Sequence, residues 1–182
     1  AYGAVVTDYV WNQDFAAARN FALSQSDCDW NLMLDADEYL AEGSRKDLED
    51  FLKRPDTIGA IELKNYYMEE MQGGKQEMAY TYLYVSRLLP GGVRFTGRIH
   101  EQVDSELPLV SVPLLFEHDG YLKQGKAERN LPILFEEIEK EPTDSYFLYQ
   151  AAETLRGLKR YPEACRYYER FYVHVPERGT GY

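Results

Sequence analysis

Two aspartates, Asp35 and Asp37, are the residues of this chain whose type and spacing best suit chemistry. They follow Trp30–Leu34, a short and mostly apolar run that is typical of a buried central strand. On an extended segment alternate side chains project to the same side, so both carboxylates could bind one Mg²⁺ or Mn²⁺ ion that also contacts phosphate. Glu38 would then point the other way, as a solvated acid. In open α/β sheets ligands bind beyond the carboxyl ends of strands, which is where this pair lies.

A second pair with the same spacing, Asp27 and Asp29, shows that spacing alone decides little. This pair precedes Trp30–Leu34, at the amino end of the predicted strand, and we interpret it as a solvated turn between a helix and the strand. Position therefore favours Asp35 and Asp37 as the candidate site. Their alternative role is to cap the next turn with polar side chains.

The elements around these residues predict an α/β sheet with an antiparallel extension and a helical tail. Apolar runs predict strands, and apolar periodicity after polar caps predicts helices. The predicted strands cover 4–10, 30–34, 58–67, 78–89 and 109–116, with a hairpin turn at 72–75. One predicted helix covers 15–24 and follows the N-cap residue Asp14. A second covers 45–53, and Ser44 and Asp47 form a capping box at its start. From 123 onward the pattern is helical.

The tail contains the spacing of a tetratricopeptide repeat (TPR), which is a pair of packed helices of about 34 residues. Its small, small, aromatic, packing and terminal proline positions are filled by Ala152, Ala164, Tyr168, Phe171 and Pro176. Pro142 lies one repeat length before Pro176, which makes 128–141 the second helix of a preceding, incomplete unit. An ordinary helical hairpin with a coincidental proline is the alternative.

Composition excludes several classes of protein. The 182 residues include 20 Lys and Arg and 31 Asp and Glu, and the net charge of −11 argues against a nucleic-acid binder and a polybasic membrane-surface segment. The longest apolar stretch, 107–116, is too short for a transmembrane segment and is interrupted by two prolines and a serine. The two cysteines, Cys28 and Cys165, cannot make a disulfide framework, so we expect reduced thiols in a cytoplasmic protein.

Four segments, in order along the chain, resemble the family 2 glycosyltransferases, which have the GT-A fold. These segments are 14–20, 30–38, 97–103 and 118–121. With the repeat that follows, the chain is most similar to a bacterial subgroup in which the transferase domain is fused to TPR helices. The resemblance implies a partial GT-A domain with a mixed sheet at 1–122, and a TPR-like helical region at 123–182.

The resemblance also implies an activity. It points to a metal-dependent, inverting hexosyltransferase that uses a nucleotide-sugar donor, a UDP-sugar, and an acceptor that the sequence does not identify. It implies Mg²⁺ or Mn²⁺ on the donor diphosphate, held by Asp35 and Asp37, with Asp37 the more direct ligand. His118 is implied as a third ligand or a donor contact, and a polar turn residue is its alternative.

Several residues are assigned to the donor by the same resemblance. Arg19 and Asn20 match the family's helix near the donor nucleotide, and Asp35 belongs to the same site. Arg19 could pair with a phosphate as a planar fork, or form a structural salt bridge with an acid of this chain. Arg98 would face the diphosphate or pair with a surface acid. For Asp14 we favour the N-cap over a nucleotide contact.

Glu101 is the general base that the resemblance implies, because an inverting transferase needs a group that takes the acceptor's proton. Its neighbour His100 is implied as a donor-site or orienting residue. A plain strand here would point Ile99 and Glu101 to the same side and bury the carboxylate with the isoleucine. A turn at Gly97 or after His100 would release Glu101.

The family normally places two further βα units, which hold the nucleobase, ahead of the segment that begins here. We therefore expect this stretch alone to be catalytically weak or inactive. The second hypothesis is a non-catalytic module that binds a peptide, or self-associates, through its TPR-like helices. A different Mg²⁺-dependent phosphoryl-transfer enzyme is disfavoured, because the chain has no P-loop and no kinase motifs.

Overall fold

The structure of the chain, a computed structural model, describes residues 3–54, 56–71, 73–120 and 125–175. The chain forms two compact units, residues 1–123 and 124–182. Within the described residues, the first unit contains two helices and seven strands, and the second contains three helices. Each unit has a hydrophobic core of its own.

The first unit is built on a mixed sheet. Its elements are α1 (Phe15–Leu23), β1 (Trp30–Leu32), β2 (Glu38–Glu42), α2 (Arg45–Phe51), β3 (Ile58–Glu70), β4 (Gln76–Pro90), β5 (Arg94–Thr96), β6 (Gln102–Asp104) and β7 (Leu109–His118). Five strands are hydrogen-bonded in the order β1-β4-β3-β7-β2, and β5 pairs with β6 in a separate ribbon. Only β3 and β7 run parallel among the described pairs. The predicted fold class, a mixed α/β sheet followed by a helical tail, is confirmed.

β3 and β4 form a long hairpin that continues beyond the rest of the sheet. The two strands stay in register from Ala60 opposite Ser86 to Glu70 opposite Gln76. β7 accompanies β3 only as far as Asn65, which lies opposite the last residue of β7, His118. The remainder of the hairpin is a two-stranded arm, and it carries the exposed side chains of Met68, Met78 and Tyr80.

α2 packs against one face of the sheet and completes the main core. Its first turn is held by the predicted capping box, in which the Ser44 N–H donates to Asp47 Oδ2 at 2.9 Å. Phe51, the last residue of α2, lies against Ile61 of β3, and Gly59 permits this approach because a Cβ there would meet the Phe51 ring at 3.0 Å. The other buried members of this core are Leu63, Leu88, Val112, Leu114 and Phe116.

α1 packs on a smaller core next to β5. Asp14 is its N-cap, as predicted, since Oδ1 accepts the Ala17 N–H at 2.8 Å. Ala16 and Leu23 bury the inner side of the helix. They pack with Ile58, Leu89 and Phe95.

The first unit differs from the sequence prediction in several places, and the β5–β6 ribbon is one of them. Residues 4–10, predicted as a strand, have no regular secondary structure, and Val5 and Val6 are exposed because no described strand pairs with them. The sequence does not predict β2, since Glu38–Glu42 mixes acidic and apolar side chains without a clear period. β7 runs two residues further than predicted, to His118.

The second unit is a set of three helices, α3 (Lys126–Lys140), α4 (Ser145–Gly157) and α5 (Tyr161–His174). The two small positions of the predicted repeat, Ala152 and Ala164, are buried, which lets helices approach closely. Ala164 packs with Leu131 and Leu155 in the core of this unit. Pro176 lies outside the described residues. No helix of the described ranges is both long and apolar enough to cross a bilayer.

Candidate functional site

The acidic run after β1 forms a tight turn. The Glu38 N–H donates to the Asp35 carbonyl oxygen at 3.0 Å, and the Asp35 N–H donates to Oε2 of Glu38 at 3.0 Å. The prediction that Asp35 and Asp37 lie on an extended segment is therefore wrong, because the chain reverses here between β1 and the antiparallel β2. Both aspartates nevertheless follow the carboxyl end of β1, as the position argument requires.

Arg87 of β4 is a buried cation at the centre of this turn. It is 7% exposed, and its Nη2 donates to Asp35 Oδ2 at 2.8 Å and also to Oε1 of Glu38. The Glu38 side chain is only 1% exposed, so the expectation of a solvated acid is wrong. A buried charge is tolerated only with a partner, and Arg87 is the partner of Glu38. One atom of Arg87, Nε, is buried and has no hydrogen-bond partner in the described part of the chain.

Arg19 of α1 joins two acidic segments that are far apart in sequence. Its Nη1 and Nη2 each lie 2.9 Å from one carboxylate oxygen of Asp35, which is the bidentate geometry of a strong ion pair. Its Nε donates to Oε1 of Glu101 at 2.5 Å. Of the two roles predicted for Arg19, the structure shows the salt bridge, and phosphate binding stays a prediction.

The charges of this cluster support one another. Burial alone would raise the pKa of Asp35, but hydrogen bonds and charge from Arg19 and Arg87 hold that pKa below its ordinary value. Burial would likewise lower the pKa of Arg19, yet the carboxylates of Asp35 and Glu101 raise it. Three carboxylates, those of Asp35, Glu38 and Glu101, thus share the guanidinium groups of Arg19 and Arg87.

α1 is fastened to the segment that carries Glu101. The side-chain amide of Asn20 donates to the Phe95 carbonyl oxygen at 2.9 Å, and its Oδ1 accepts the Phe95 N–H at 2.8 Å. The Phe15 N–H donates to the carbonyl oxygen of Arg98 at 2.9 Å. Asn20 is therefore a clamp between α1 and β5 here, and its contact with a donor nucleotide stays a prediction, as does the role of the Arg98 side chain.

A turn between β5 and β6 settles the orientation of Glu101. Gly97 and His100 have positive φ angles of 90° and 53°, so the segment is not a plain strand. Ile99 is buried, whereas Glu101 points elsewhere and contacts Arg19. The turn thus keeps the Glu101 carboxylate from being buried on the same side as Ile99, which is one of the two arrangements considered from the sequence. Burial lowers the pKa of His100, an effect that the charge of Glu101 partly offsets, so the imidazole is neutral near pH 7.

Asp37 and His118 form a second, adjacent group. His118 Nε2 lies 3.4 Å from Oδ1 of Asp37, and Nδ1 lies 2.7 Å from Oδ1 of Asn65. His118 is 7% exposed and ends β7 opposite Glu38 of β2, so it belongs to the sheet and the polar-turn alternative is wrong. The Asp35 and Asp37 turn thus presents one aspartate to two arginines and the other to a histidine.

Sequence reasoning names most members of these two groups but misses three. Arg87 and Asn65 lie within strands, and the sequence predicts Glu38 to be a solvated acid. A charged or amide residue inside an otherwise apolar strand is the signal that could have found them, because a buried polar group needs a partner. In the described residues no three His, Cys, Asp or Glu side chains are grouped so as to hold a metal ion by themselves.

The first acidic pair has a different setting. Asp27 and Asp29 are exposed and line an open depression of about 510 Å³ between the end of α1 and the end of β4. Gly91 fits against this segment, and its N–H donates to the Asp29 carbonyl oxygen at 2.7 Å. The interpretation of this pair as a solvated turn is consistent with its exposure.

Comparison with known proteins relates these features to a family. Residues 3–99, just over half of the chain, match the sequence model of the family described as Glycosyl transferase family 2. The chain is also similar to a TPR repeat-containing protein of Synechococcus elongatus, with 31% identity over 163 residues. The alignment covers 79% of this chain and 38% of that protein, so the chain spans well under half the length of this relative.

Proposed function

The chain belongs to glycosyl transferase family 2, and we propose that it is part of a transferase that moves a hexose, with inversion, from a UDP-sugar to an acceptor. The observation that best supports this is the ion-pair cluster of Arg19, Asp35 and Glu101. It brings three segments that resemble the family into one place, at the carboxyl end of β1.

We propose that Mg²⁺ or Mn²⁺ assists this reaction and that Asp37 and His118 hold it. The residues fit such an ion, because a carboxylate oxygen and an imidazole nitrogen face each other at 3.4 Å. Mg²⁺ is usually bound through one or two carboxylates, with water and phosphate oxygens as the other ligands. Both oxygens of Asp35 are occupied by guanidinium groups, so Asp35 shapes the turn and is the weaker candidate ligand. When bound, the cation would stabilise charge on the leaving diphosphate.

Glu101 is the proposed general base. Arg19 donates to Oε1, which orients the carboxylate, and Oε2 would accept the proton of the acceptor hydroxyl. The adjacent His100 is neutral near pH 7, so it would orient the acceptor without adding a charge next to Glu101. In this proposal Arg98 contacts the diphosphate, and Asn20 keeps α1 and its Arg19 in place.

Calorimetric titration with UDP, with and without Mn²⁺, tests the metal assignment. We expect UDP to bind in the presence of Mn²⁺ and Asp37→Ala to weaken this binding by more than about tenfold. Asp29→Ala, from the first acidic pair, is the matched control and should bind as the wild type does. Binding that needs no metal, or that Asp37→Ala leaves unchanged, would show that the metal assignment is wrong.

Glu101→Gln separates catalysis from binding. Removing the base should lower the rate of sugar transfer or donor hydrolysis by about 10²–10⁴, with UDP affinity unchanged. A variant that keeps the wild-type rate would contradict the assignment of Glu101, whatever the metal result.

A second candidate function is protein interaction through the helical unit. It is favoured by the buried Ala152 and Ala164 positions of the repeat and by the similarity to a TPR repeat-containing protein. We propose that exposed aromatic side chains of this unit, such as Tyr149 and Tyr172, contact a peptide or a second copy of the chain. Sedimentation over a range of concentrations tests self-association, and Tyr172→Ala should shift the equilibrium toward the monomer.

A further inference from the structure

Asn65 is a buried amide in a row of apolar side chains. On β3, Ile61 and Leu63 point to the main core, and Asn65, two positions further, points to the same face and is 2% exposed. A polar group buried this deeply is expected to have a specific partner. Its partner is His118, the residue directly opposite on β7, at 2.7 Å between Oδ1 and Nδ1.

The contacts of Asn65 determine where the histidine carries its proton. Nδ2 of Asn65 donates to the Leu63 carbonyl oxygen at 3.5 Å, and an amide flipped by 180° would place two acceptors together there. Oδ1 therefore faces His118, and an amide oxygen can only accept a hydrogen bond. Consequently Nδ1 of the imidazole is the donor, and in the neutral ring the lone pair is on Nε2.

This tautomer has a consequence at Asp37. In this tautomer Nε2 is the acceptor atom of the ring, and it lies 3.4 Å from Oδ1 of Asp37, which is also an acceptor. Such a pair is unfavourable by itself and favourable with a cation between or beside the two atoms.

We propose that Asn65 is a positioning residue that fixes His118 in the Nδ1–H tautomer, so that Nε2 and Asp37 together present ligands to a divalent cation. The inference rests on the proposed function, because it assigns the groups that hold the metal ligands in place. Asn65 itself touches neither the cation nor the donor in this arrangement.

The tautomer can be measured without any variant. Long-range ¹H–¹⁵N correlation spectra of ¹⁵N-histidine-labelled protein at neutral pH distinguish a protonated Nδ1 from a protonated Nε2. We expect the Nδ1–H form for His118 in the wild type and in Asn65→Asp, whose carboxylate also accepts from Nδ1. We expect a mixture of tautomers in Asn65→Leu, which has a similar volume and no acceptor. An Nε2–H or doubly protonated His118 in the wild type would overturn the inference.

Mn²⁺ affinity, followed by electron paramagnetic resonance of the free ion, provides the second readout. Loss of the supporting hydrogen bond in Asn65→Leu should weaken Mn²⁺ binding by about 10–100-fold, and Asn65→Asp should restore most of it. Asn31→Leu, on β1, is a matched control for the loss of a strand asparagine and should bind as the wild type does. Equal Mn²⁺ affinity of wild type and Asn65→Leu overturns the inference. A wild type that binds no Mn²⁺, with His118 in the Nδ1–H form, overturns instead the metal part of the proposed function.

Discussion

The two acidic pairs of this chain have the same spacing and opposite surroundings. Asp27 and Asp29 lie before β1 and are exposed, whereas Asp35 and Asp37 lie after it and are contacted by two arginines and a histidine. The cations come from other elements, since Arg19 is on α1 and Arg87 on β4. An acidic motif thus becomes a site through its place at the end of a strand and through the partners that the fold brings to it.

The largest effect that would sharpen this comparison is expected from Glu38→Ala. The variant leaves Arg87 buried with fewer carboxylates, and breaking a buried ion pair costs about 3–5 kcal/mol of unfolding free energy. Urea unfolding measures it. Glu42→Ala, at the exposed end of the same strand, is the control and should change stability by less than about 0.5 kcal/mol. Equal effects of the two variants would mean that the acidic turn is solvated like the first pair.

A smaller loss is expected from Arg19→Lys. Lysine keeps the charge but cannot bond both oxygens of Asp35 and Glu101 at once, so we expect a loss of about 1.5–3 kcal/mol. The matched control is Arg45→Lys, because Arg45 pairs with Glu49 on the exposed surface of α2, where ion pairs contribute about 0–1 kcal/mol. If Arg19→Lys lowers the unfolding free energy no more than Arg45→Lys does, the ion pairs of Arg19 do not stabilise the fold more than a surface ion pair.

Acid titration should reveal the lowered pKa of Asp35. Because the folded-state pKa lies below the unfolded value near 3.8, the ionised carboxylate stabilises the fold above about pH 4, and this contribution is lost as the pH falls through the folded pKa. The stability difference between wild type and Asp35→Asn, from urea unfolding between pH 6 and about pH 2, should therefore shrink on acidification. A difference that is constant with pH would contradict the pairing of Asp35 with the two arginines.

The smallest effects belong to the first pair. Asp27→Asn and Asp29→Asn remove exposed charges, so each should change unfolding free energy by less than about 0.5 kcal/mol and leave Mn²⁺ binding unchanged. A change in Mn²⁺ affinity from either substitution would mean that the first pair also takes part in metal binding.

Local signals in the sequence predict much of the fold. The cap at Asp14, the capping box of Ser44 and Asp47, and the apolar runs of the long hairpin each act over a few residues, and their elements are where the sequence places them. The prediction of a strand at 4–10 is wrong, because a strand needs a neighbouring strand to bond its backbone. An apolar run does not show whether such a neighbour exists.

The candidate site is less predictable because its contacts are long-range. Asp35, Arg19 and Glu101 can each be named from short segments, but the ion pairs among them span up to 82 positions. The buried state of Arg87 and Glu38 depends on the register of β4 and on the turn at 35–38, neither of which has a local signature.

The two-stranded arm of β3 and β4 places the end of the hairpin far from the candidate site. Its end turn, at Gly73 and Gly74, lies six or more residues beyond Asn65 along β3, which is about 20 Å at the rise of a strand. A peptide tag or fluorescent reporter inserted between these glycines would therefore label the protein while leaving the ion-pair cluster and the His118 environment intact.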